Sequence, residues 1–443
     1  MLAKKSKMRC IEVKKRWSLL LMSGLLCLAG CQGKPQQNEM EMVTSIQEPV
    51  EIEFWHGMSG ALGETLTELV ADFNEGIGSE KGITVKSTYQ GNYEDLKAKT
   101  MAAIKAGNNP AVIQGTVNNI MEFIGSGIVQ PLDDYIFNQE IGMNDFEDIY
   151  EGYRLENSSY CEDQRYYALP FSKSTDLLFY NRTFFDEHGL TVPTTWDELT
   201  EVSKKIYELT GKTAFSIDNP ANYLITYLMQ AGAEYTNSKG DLLFNNEAAI
   251  EALTMLQDNV NAGYWRLAGE DSFSSGPFLA ENVYLYIGSS ASEAFLPEEN
   301  FVWEAAMIPQ LKVDQPQNIQ QGNNVAILNK NKTSEEVYAA FEFIKYLASD
   351  EANLKWATST GYLPIRESVA TSEDYVSYVQ QAKQSAKEAG IEAAKSGFVE
   401  PLFLMDHKNS NLVRTEVGAM IEEIVLTNAD VVETIERYIQ KLN

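Results

Sequence analysis

The order of short apolar segments between residues 50 and 113 most constrains the fold of this chain. Residues 50–54 alternate apolar and polar side chains as a strand does, and residues 62–73 place apolar side chains at helical spacing. A second strand at 83–89, a helix running from an Asn92 cap to about residue 105, and a short buried strand at 110–113 follow. This β-α-β-α-β order predicts a mostly parallel, doubly wound sheet with helices on both faces.

The rest of the chain predicts a second unit of the same class. The chain has 443 residues, which is more than one hydrophobic core usually organises. Strand-like segments at 177–180 and 283–287 flank a helix that follows Trp196, and amphipathic helices are predicted at 337–347 and 431–439. The sequence therefore predicts an α/β protein of about two domains.

The first 30 residues are predicted to be a secretion signal and not part of the fold. Seven basic residues precede an apolar run at 17–28, which is shorter than the ~20 residues that a membrane-spanning helix needs. Leu28-Ala29-Gly30-Cys31 resembles the lipobox of bacterial lipoproteins, which implies cleavage before Cys31 and a lipid on its thiol. Residues 31–48 are polar and without periodicity, as in a flexible tether. We therefore expect an extracytoplasmic protein that its lipid anchors to the outer face of the cytoplasmic membrane.

Charge and cysteine content narrow the classes of ligand. The formal net charge is −28, and loss of the leader with its seven basic side chains and Glu12 makes it about −34. A surface this acidic repels nucleic acids. After Cys31 only Cys161 remains, and the three histidines do not stand at metal-ligand spacing. We therefore expect neither nucleic acid nor a metal among the ligands.

The sequence contains partial matches to enzyme motifs, but the spacing of their residues does not fit. Gly211-Lys212-Thr213 lacks the glycine that a phosphate-binding loop places five residues earlier, where Ile206 stands. Gly288-Ser289-Ser290-Ala291-Ser292 lacks the closing glycine of a nucleophile elbow. Among the 63 carboxylates, the sequence singles out no pair as acid and base. The chain is therefore predicted not to be an enzyme and to need no cofactor.

Aromatic and small polar residues stand at the predicted strand-to-helix loops, where α/β sheets bind their ligands. Trp55, Tyr93 and Tyr362 are rings of the kind that cover the CH faces of sugars or glycerol. The glycine- and serine-containing loops 57–60 and 288–290 either present N–H groups to an anion or simply cap a helix. We expect a cleft for a small polar ligand.

Several segments, in order, resemble family 1 extracellular solute-binding proteins of ABC importers, and most closely the glycerol-3-phosphate-binding members. They include Phe54-Trp55-His56-Gly57-Met58, Tyr89-Gln90-Gly91-Asn92-Tyr93-Glu94, Gly107-Asn108-Asn109-Pro110-Ala111, Leu169-Pro170-Phe171-Ser172-Lys173-Ser174-Thr175 and Thr360-Gly361-Tyr362-Leu363-Pro364-Ile365. The resemblance spans about residues 50–440. It implies a two-lobed periplasmic-binding-protein-like fold with a hinge of crossing strands. One lobe would hold residues 49–165 with about 312–375, and the other about 166–311 with 376–443.

The resemblance also implies ligand-binding residues. Gly322 would turn its backbone N–H to a phosphate, and Arg414 would pair with that phosphate through its guanidinium. Whether Ser289 or Ser290 is the matching serine stays open. With Trp55 from the loop argument, the expected ligand contacts are Trp55, Tyr93, Ser174, Ser289, Ser290, Gly322, Tyr362 and Arg414.

One position departs from the family pattern. The relatives place a glutamate that holds glycerol hydroxyls where this chain has Val117, with Asn118 as a candidate replacement. The predicted function is to capture glycerol-3-phosphate, a glycerophosphodiester or a related small sugar or polyol, and to dock as a monomer on permease and ATPase subunits. The alternatives are a receptor for a neutral oligosaccharide, a surface glycosidase or phosphodiesterase, and a sensor for a membrane kinase.

Overall fold

The computed structural model describes residues 41–443, except 162, 298–299, 383–384, 404 and 406–407. The predicted secretion signal, Cys31 and the first part of the tether lie outside the described residues. The strands are β1 Val50–His56, β2 Ile83–Tyr89, β3 Val112–Thr116, β4 Leu169–Asn181, β5 Phe215–Ile217, β6 Trp265–Leu267, β7 Leu285–Ser289, β8 Trp303–Met307, β9 Asn318–Ile327 and β10 Gly397–Phe398.

The helices alternate with these strands. They are α1 Gly60–Phe73, α2 Ser79–Lys81, α3 Tyr93–Ala106, α4 Val117–Gly125, α5 Asp133–Ile136, α6 Glu151–Ser158, α7 Arg182–His188, α8 Trp196–Thr210, α9 Pro220–Ala231, α10 Glu247–Asn261, α11 Ser275–Leu279, α12 Ser334–Leu347, α13 Asp350–Ser359, α14 Glu367–Thr371, α15 Glu373–Ala382, α16 Ser385–Ala394, α17 Ser410–Thr427 and α18 Val431–Leu442. Short 3₁₀ turns lie at Phe146–Asp148, Gly269–Asp271 and Ser290–Phe295, and a π turn follows α1 at Asn74–Gly78.

Local capping explains where several helices begin. The Asn92 side chain accepts the backbone N–H of Asp95 at 2.9 Å, so α3 starts where the sequence predicts. At α8, Thr195 accepts the N–H of Glu198 while the Glu198 carboxylate accepts the N–H of Thr195. This reciprocal capping box satisfies two amide groups that a helix start otherwise leaves unpaired.

The first sheet confirms the predicted parallel order. β1 lies between β2 and β3 and runs parallel to both, while β9 and then β4 extend the sheet in antiparallel fashion. β3 begins at Val112, two residues later than predicted. Pro110 has no N–H to donate to a neighbouring strand, so the ladder begins after it.

The second sheet is built around β5, which is parallel to both β6 and β7. β4 and β8 complete this sheet in antiparallel pairing. The strand-like segment at 177–180 lies within β4, and the one at 283–287 overlaps β7. These two strands are neighbours in the same sheet.

β4 belongs to both sheets. Residues 169–175 of this strand pair with β9, while residues 176–180 pair with β7. The two largest hydrophobic clusters lie on either side of this crossing, one built mainly from 178–308 and 413–442 and the other from 52–171 and 325–365. The chain is thus an α/β protein with two sheets that share a strand, and the exact lobe boundaries remain a prediction.

Candidate functional site

The crossing of β4 and β9 places polar side chains where the two sheets meet. Every residue of β4 is buried, including Ser172, Ser174 and Asp176. On β9, Gln321 lies opposite Ser174 and Asn323 lies opposite Ser172. Buried polar groups need hydrogen-bond partners, so a strand of this composition marks either a network or a ligand site.

Gly322 lets the two crossing strands approach closely. Its φ of +105° is rarely adopted by residues with a side chain, and a Cβ on it would lie 2.0 Å from the Ser172 carbonyl oxygen. The glycine predicted as a ligand contact is therefore also required by the packing of β9 on β4. It stands directly beside the polar residues at the crossing.

Tyr93 and Tyr362 come together as the sequence led us to expect. Their hydroxyl oxygens lie 3.3 Å apart. The ring of Tyr362 stacks on Trp356 with centroids 5.6 Å apart, which fixes its orientation. Burial raises the pKa of both phenols, so both stay protonated at neutral pH and can donate a hydrogen bond to a ligand.

Asp176 forms a second polar group at the crossing. One carboxylate oxygen accepts a hydrogen bond from Asn222 at 2.8 Å and the other accepts one from Gln321. Burial raises the pKa of Asp176, while these two bonds and the charge of Arg414 lower it. Asp176 is thus an acidic group at the crossing that nothing in the sequence patterns singled out.

Arg414 is held by a carboxylate in this structure. Its Nη1 lies 3.0 Å from Oε1 of Glu400, and the Glu400 side chain is only 8% exposed. The same oxygen accepts Nδ2 of Asn118 at 3.4 Å, and Ser410 donates its hydroxyl to Asn118 at 2.6 Å. Because Asn118 lies in the first turn of α4 while Ser410 and Arg414 lie on α17, this network joins α4 to α17.

Of the remaining predicted residues, Ser289 and Ser290 lie beside β4, where Ser289 is the cross-strand partner of Asp176, and Trp55 lies on β1. Trp55 is half-buried, packs against the apolar cluster around α3 and donates its Nε1 to Glu53 at 3.2 Å. Ser290 is buried and accepts the N–H of Thr175 at 3.4 Å, whereas Ser289 accepts the N–H of Ala291. The segment after Ser289 is a six-residue 3₁₀ turn, which carries no long helix dipole toward an anion.

The structure thus brings some of the expected residues together. Tyr93 and Tyr362 share a hydroxyl contact, Ser174 and Gly322 lie at neighbouring positions of the paired strands β4 and β9, and Arg414 lies on α17. Among the described residues, no hydrogen bond joins Arg414 to either tyrosine. Sequence reasoning missed Asp176, although a carboxylate inside an otherwise buried strand is a signal that could have found it.

Val117, which the resemblance places where the relatives have a glutamate, has an apolar side chain and offers no hydrogen bond to a ligand hydroxyl. It is the first residue of α4, and its side chain packs against the apolar cluster that includes Ile113 and Ile120. Asn118, the candidate replacement, is engaged with Glu400 and Ser410.

Comparison with known proteins decides the family. The profile of the bacterial extracellular solute-binding proteins matches residues 68–383. The chain belongs to this family. Among its relatives, the sn-glycerol-3-phosphate-binding periplasmic protein UgpB of Shigella dysenteriae is 25% identical over 342 residues, which cover 74% of this chain and 76% of the relative. UgpB of Pectobacterium atrosepticum is 27% identical over 345 residues, covering 73% and 75%.

Solved structures share the fold of this solute-binding protein. UgpB from Mycobacterium tuberculosis, in complex with glycerophosphocholine, has a TM-score of 0.78 at 21% identity, covering 89% of this chain and 98% of the other. A substrate-binding protein from Listeria monocytogenes, in complex with cycloalternan, has a TM-score of 0.76 at 18% identity over the same shares. The two-lobed fold predicted from the sequence is confirmed.

Family membership settles the class of function. The chain is an extracytoplasmic solute-binding protein of an ABC importer, and it is not an enzyme. In the described part of the chain, no helix combines the length and the apolar character needed to cross a membrane.

Proposed function

We propose that this solute-binding protein captures a phosphorylated glycerol, either glycerol-3-phosphate or a glycerophosphodiester, at the crossing of β4 and β9. The observation that carries the proposal is the position of Arg414. It pairs with Glu400 beside Asn118, and its charge lowers the pKa of Asp176 on β4, the strand whose crossing with β9 presents Ser174 and Gly322. The Tyr93 and Tyr362 hydroxyls, 3.3 Å apart, are further donors. A phosphate needs hydroxyl and N–H donors plus one fork-shaped cation, and these residues supply that set. The glycerol-3-phosphate relatives and the glycerophosphocholine complex support the same class of ligand.

One observation favours a second candidate, a neutral oligosaccharide. Glu400 already neutralises Arg414, and the buried Asp176 adds a further acidic group nearby. The buried rings of Phe171 and Trp356 stack behind Tyr362, with centroid distances of 4.7 and 5.6 Å between neighbours, and a Tyr362 ring held in this way can support a sugar ring. The cycloalternan-bound neighbour shows that this fold also serves oligosaccharide receptors.

A titration separates the two candidates. We expect calorimetry on the chain from Gln32 onward to detect tight binding of glycerol-3-phosphate or glycerophosphocholine. Arg414→Gln should weaken that binding by at least about 100-fold, since it removes the one cation of the proposed phosphate contact. Arg437→Gln is the matched control, because Arg437 is an exposed arginine paired with Glu423 on the far side of α17 and α18.

The outcome decides the ligand class. Binding of maltose alone would assign the protein to the oligosaccharide receptors, and unchanged phosphate binding in Arg414→Gln would show that Arg414 is not the phosphate contact. Loss of binding in the Arg437→Gln control would show that the effect of Arg414→Gln is not local.

The proposal includes a lipid anchor at Cys31. It rests on the basic segment, the short apolar run and the Leu-Ala-Gly-Cys sequence before the tether. We expect the full chain produced in a bacterial host to fractionate with membranes and Cys31→Ser to be released into the soluble extracytoplasmic fraction. Mass spectrometry of the mature N-terminus should show a diacylglyceryl adduct on Cys31, and an unmodified Cys31 in membrane-bound protein would rule the anchor out.

A further inference from the structure

A groove of about 410 Å³ lies at the carboxyl ends of the parallel strands β1 and β2, beside the start of α1. We call it the α1 groove, and its walls include His56, Met58, Ser59, Glu64, Ser87 and Tyr89. None of the residues predicted as ligand contacts is among the described residues that line it. The α1 groove is therefore a separate feature from the crossing of β4 and β9.

His56 offers the α1 groove a hydrogen-bond donor. It is 5% exposed, and its Nδ1 accepts the backbone N–H of Met58 at 3.2 Å. The proton of the neutral ring is therefore on Nε2, and no described residue accepts it. Burial lowers the pKa of His56 to about 4, so the ring is neutral at pH 7. A donor without an acceptor on a nearly buried ring is unfavourable, so Nε2 calls for an acceptor in the groove.

The rest of the α1 groove suits a neutral ligand that carries hydroxyl groups. Tyr89 is 51% exposed and presents a ring face, while Ser59 begins α1 without using its hydroxyl as a cap. Glu64 adds a carboxylate that forms no ion pair with a described residue. An aromatic face with hydroxyl donors and a carboxylate acceptor around it is the combination that recognises a sugar or polyol ring.

Charged ligands fit the α1 groove less well. None of the described residues that line it is a lysine or an arginine, and Glu64 would repel an anion. A quaternary ammonium group would favour Glu64 and Tyr89, but it has no lone pair for the Nε2–H of His56. A hydroxyl group satisfies both sides, since it accepts from His56 and donates to Glu64.

The α1 groove adjoins the proposed ligand site through Met58. This residue lines the groove, and the Tyr93 hydroxyl lies 3.9 Å from its sulfur. Tyr93 also packs on Gly57, where a Cβ would lie 2.9 Å from Cδ1 of the tyrosine ring. A ligand that contacts Tyr93 therefore needs to extend only past Met58 to enter the groove.

We infer that the α1 groove binds a hydroxylated ring, a sugar or cyclic polyol, that extends from the ligand held at the crossing of β4 and β9. The inference rests on the proposed function and narrows its ligand class. The preferred ligand is then a glycerophosphodiester with a hydroxylated headgroup and not glycerol-3-phosphate itself. For an oligosaccharide ligand, the same groove takes the next sugar unit.

Pairs of ligands that share one end test the groove. Glycerophosphoinositol extends glycerol-3-phosphate by a ring that carries hydroxyls, glycerophosphocholine extends it by a cation, and maltotriose extends maltose by one glucose. We expect calorimetry to show that the wild type binds the hydroxylated, longer member of its pair about tenfold more tightly than the shorter one.

Two variants on the surface of the groove should remove this preference. Tyr89→Ala removes the ring face and Glu64→Gln removes the charged acceptor, so each should lower the ratio of affinities by about tenfold. Both residues are exposed, so both variants should unfold in urea close to the wild-type midpoint. The matched controls are Tyr207→Ala on α8 and Glu80→Gln on α2, which are exposed residues outside the groove and should keep the wild-type ratio.

Nitrogen NMR of histidine-labelled wild-type protein gives a readout that no stability effect would produce. We expect His56 to show the neutral Nε2–H form from about pH 6 to 8. Its Nε2 signal should move when glycerophosphoinositol or maltotriose binds, but not with glycerol-3-phosphate or maltose. The signals of His188 on α7 should stay in place with every ligand.

The failures of the two proposals can be told apart. If Arg414→Gln abolishes phosphate binding while Tyr89→Ala and Glu64→Gln keep the wild-type ratio, the groove inference is overturned and the proposed function stands. If only the maltose pair binds and Tyr89→Ala removes the preference for maltotriose, the phosphate contact is overturned and the groove inference stands. If the groove variants weaken glycerophosphocholine as much as glycerophosphoinositol, the groove does not select hydroxyl groups and the inference is overturned. If no probe binds the wild type, both proposals are overturned.

Discussion

Replacement of Lys173 by methionine is expected to lower the free energy of unfolding by about 3–5 kcal/mol. The Nζ of Lys173 lies 2.6 Å from Oε2 of Glu156, and the two side chains are 0% and 1% exposed. Methionine keeps the length of the apolar stem but leaves the Glu156 carboxylate charged, buried and with only the Asn324 amide, which donates to the same oxygen at 3.0 Å. Urea unfolding followed by tryptophan fluorescence measures the loss.

Two further variants identify the cause of the stability loss in Lys173→Met. Lys173→Met combined with Glu156→Gln should recover most of the stability, because the pair is then replaced by neutral groups and the glutamine can still accept from Asn324. Lys86→Met removes an exposed ion pair with Glu51 and should change stability by less than about 1 kcal/mol. If the double variant is as unstable as Lys173→Met alone, the loss comes from packing and the argument from charge is wrong.

This buried pair bears on function because of its position on β4. Lys173 lies between Ser172 and Ser174 and directly opposite Gly322, so its bond to Glu156 on α6 fixes the strand at the crossing. The side chains of Ser172 and Ser174 are thereby held where β9 passes over them. A binding site at a crossing of two strands needs such an anchor, since either sheet could otherwise shift the strand.

Local periodicity carried most of the fold prediction. The alternation at 50–54 and the apolar spacing at 62–73 became β1 and α1, and the helices predicted at 337–347 and 431–439 lie within α12 and α18. These segments are amphipathic in themselves, so their partners need not be known. The double membership of β4 could not be derived in this way, because a strand that pairs with two sheets looks like any other buried strand.

The candidate site was predictable only where a motif marked it. Tyr93 and Tyr362 lie in segments that resemble the family, and the structure brings their hydroxyls to 3.3 Å. No sequence motif indicated Glu400, because one glutamate among 63 acidic residues becomes distinctive only when its neighbours in space are known. Its importance follows from burial beside Arg414 and Asn118, which lie far from each other in sequence.

Replacement of Lys387 by methionine is expected to lower the free energy of unfolding by about 3–5 kcal/mol and also to weaken ligand binding. Lys387 lies on α16, is 1% exposed, and donates its Nζ to the carbonyl oxygens of Ala357 at 3.0 Å and Tyr362 at 2.9 Å, as well as to that of Thr360. The carboxylate of Glu293 lies 3.8 Å away. Methionine would therefore leave these three carbonyl groups and a buried carboxylate without their cation.

We expect ligand affinity to fall together with stability, because Lys387 connects two parts of the proposed binding site. α16 packs on β4 and β8 through Ala386 and Ala393. Two of the carbonyl groups that Lys387 holds, those of Thr360 and Tyr362, belong to the loop that carries Tyr362. Lys395→Met, an exposed lysine just after the same helix, should leave both quantities unchanged. Adding Glu293→Gln to Lys387→Met should recover only part of the stability, since the carbonyl groups still lack their donor. If Lys387→Met loses stability but binds ligand as tightly as the wild type, the Tyr362 loop is positioned without Lys387, and its stack on Trp356 is sufficient.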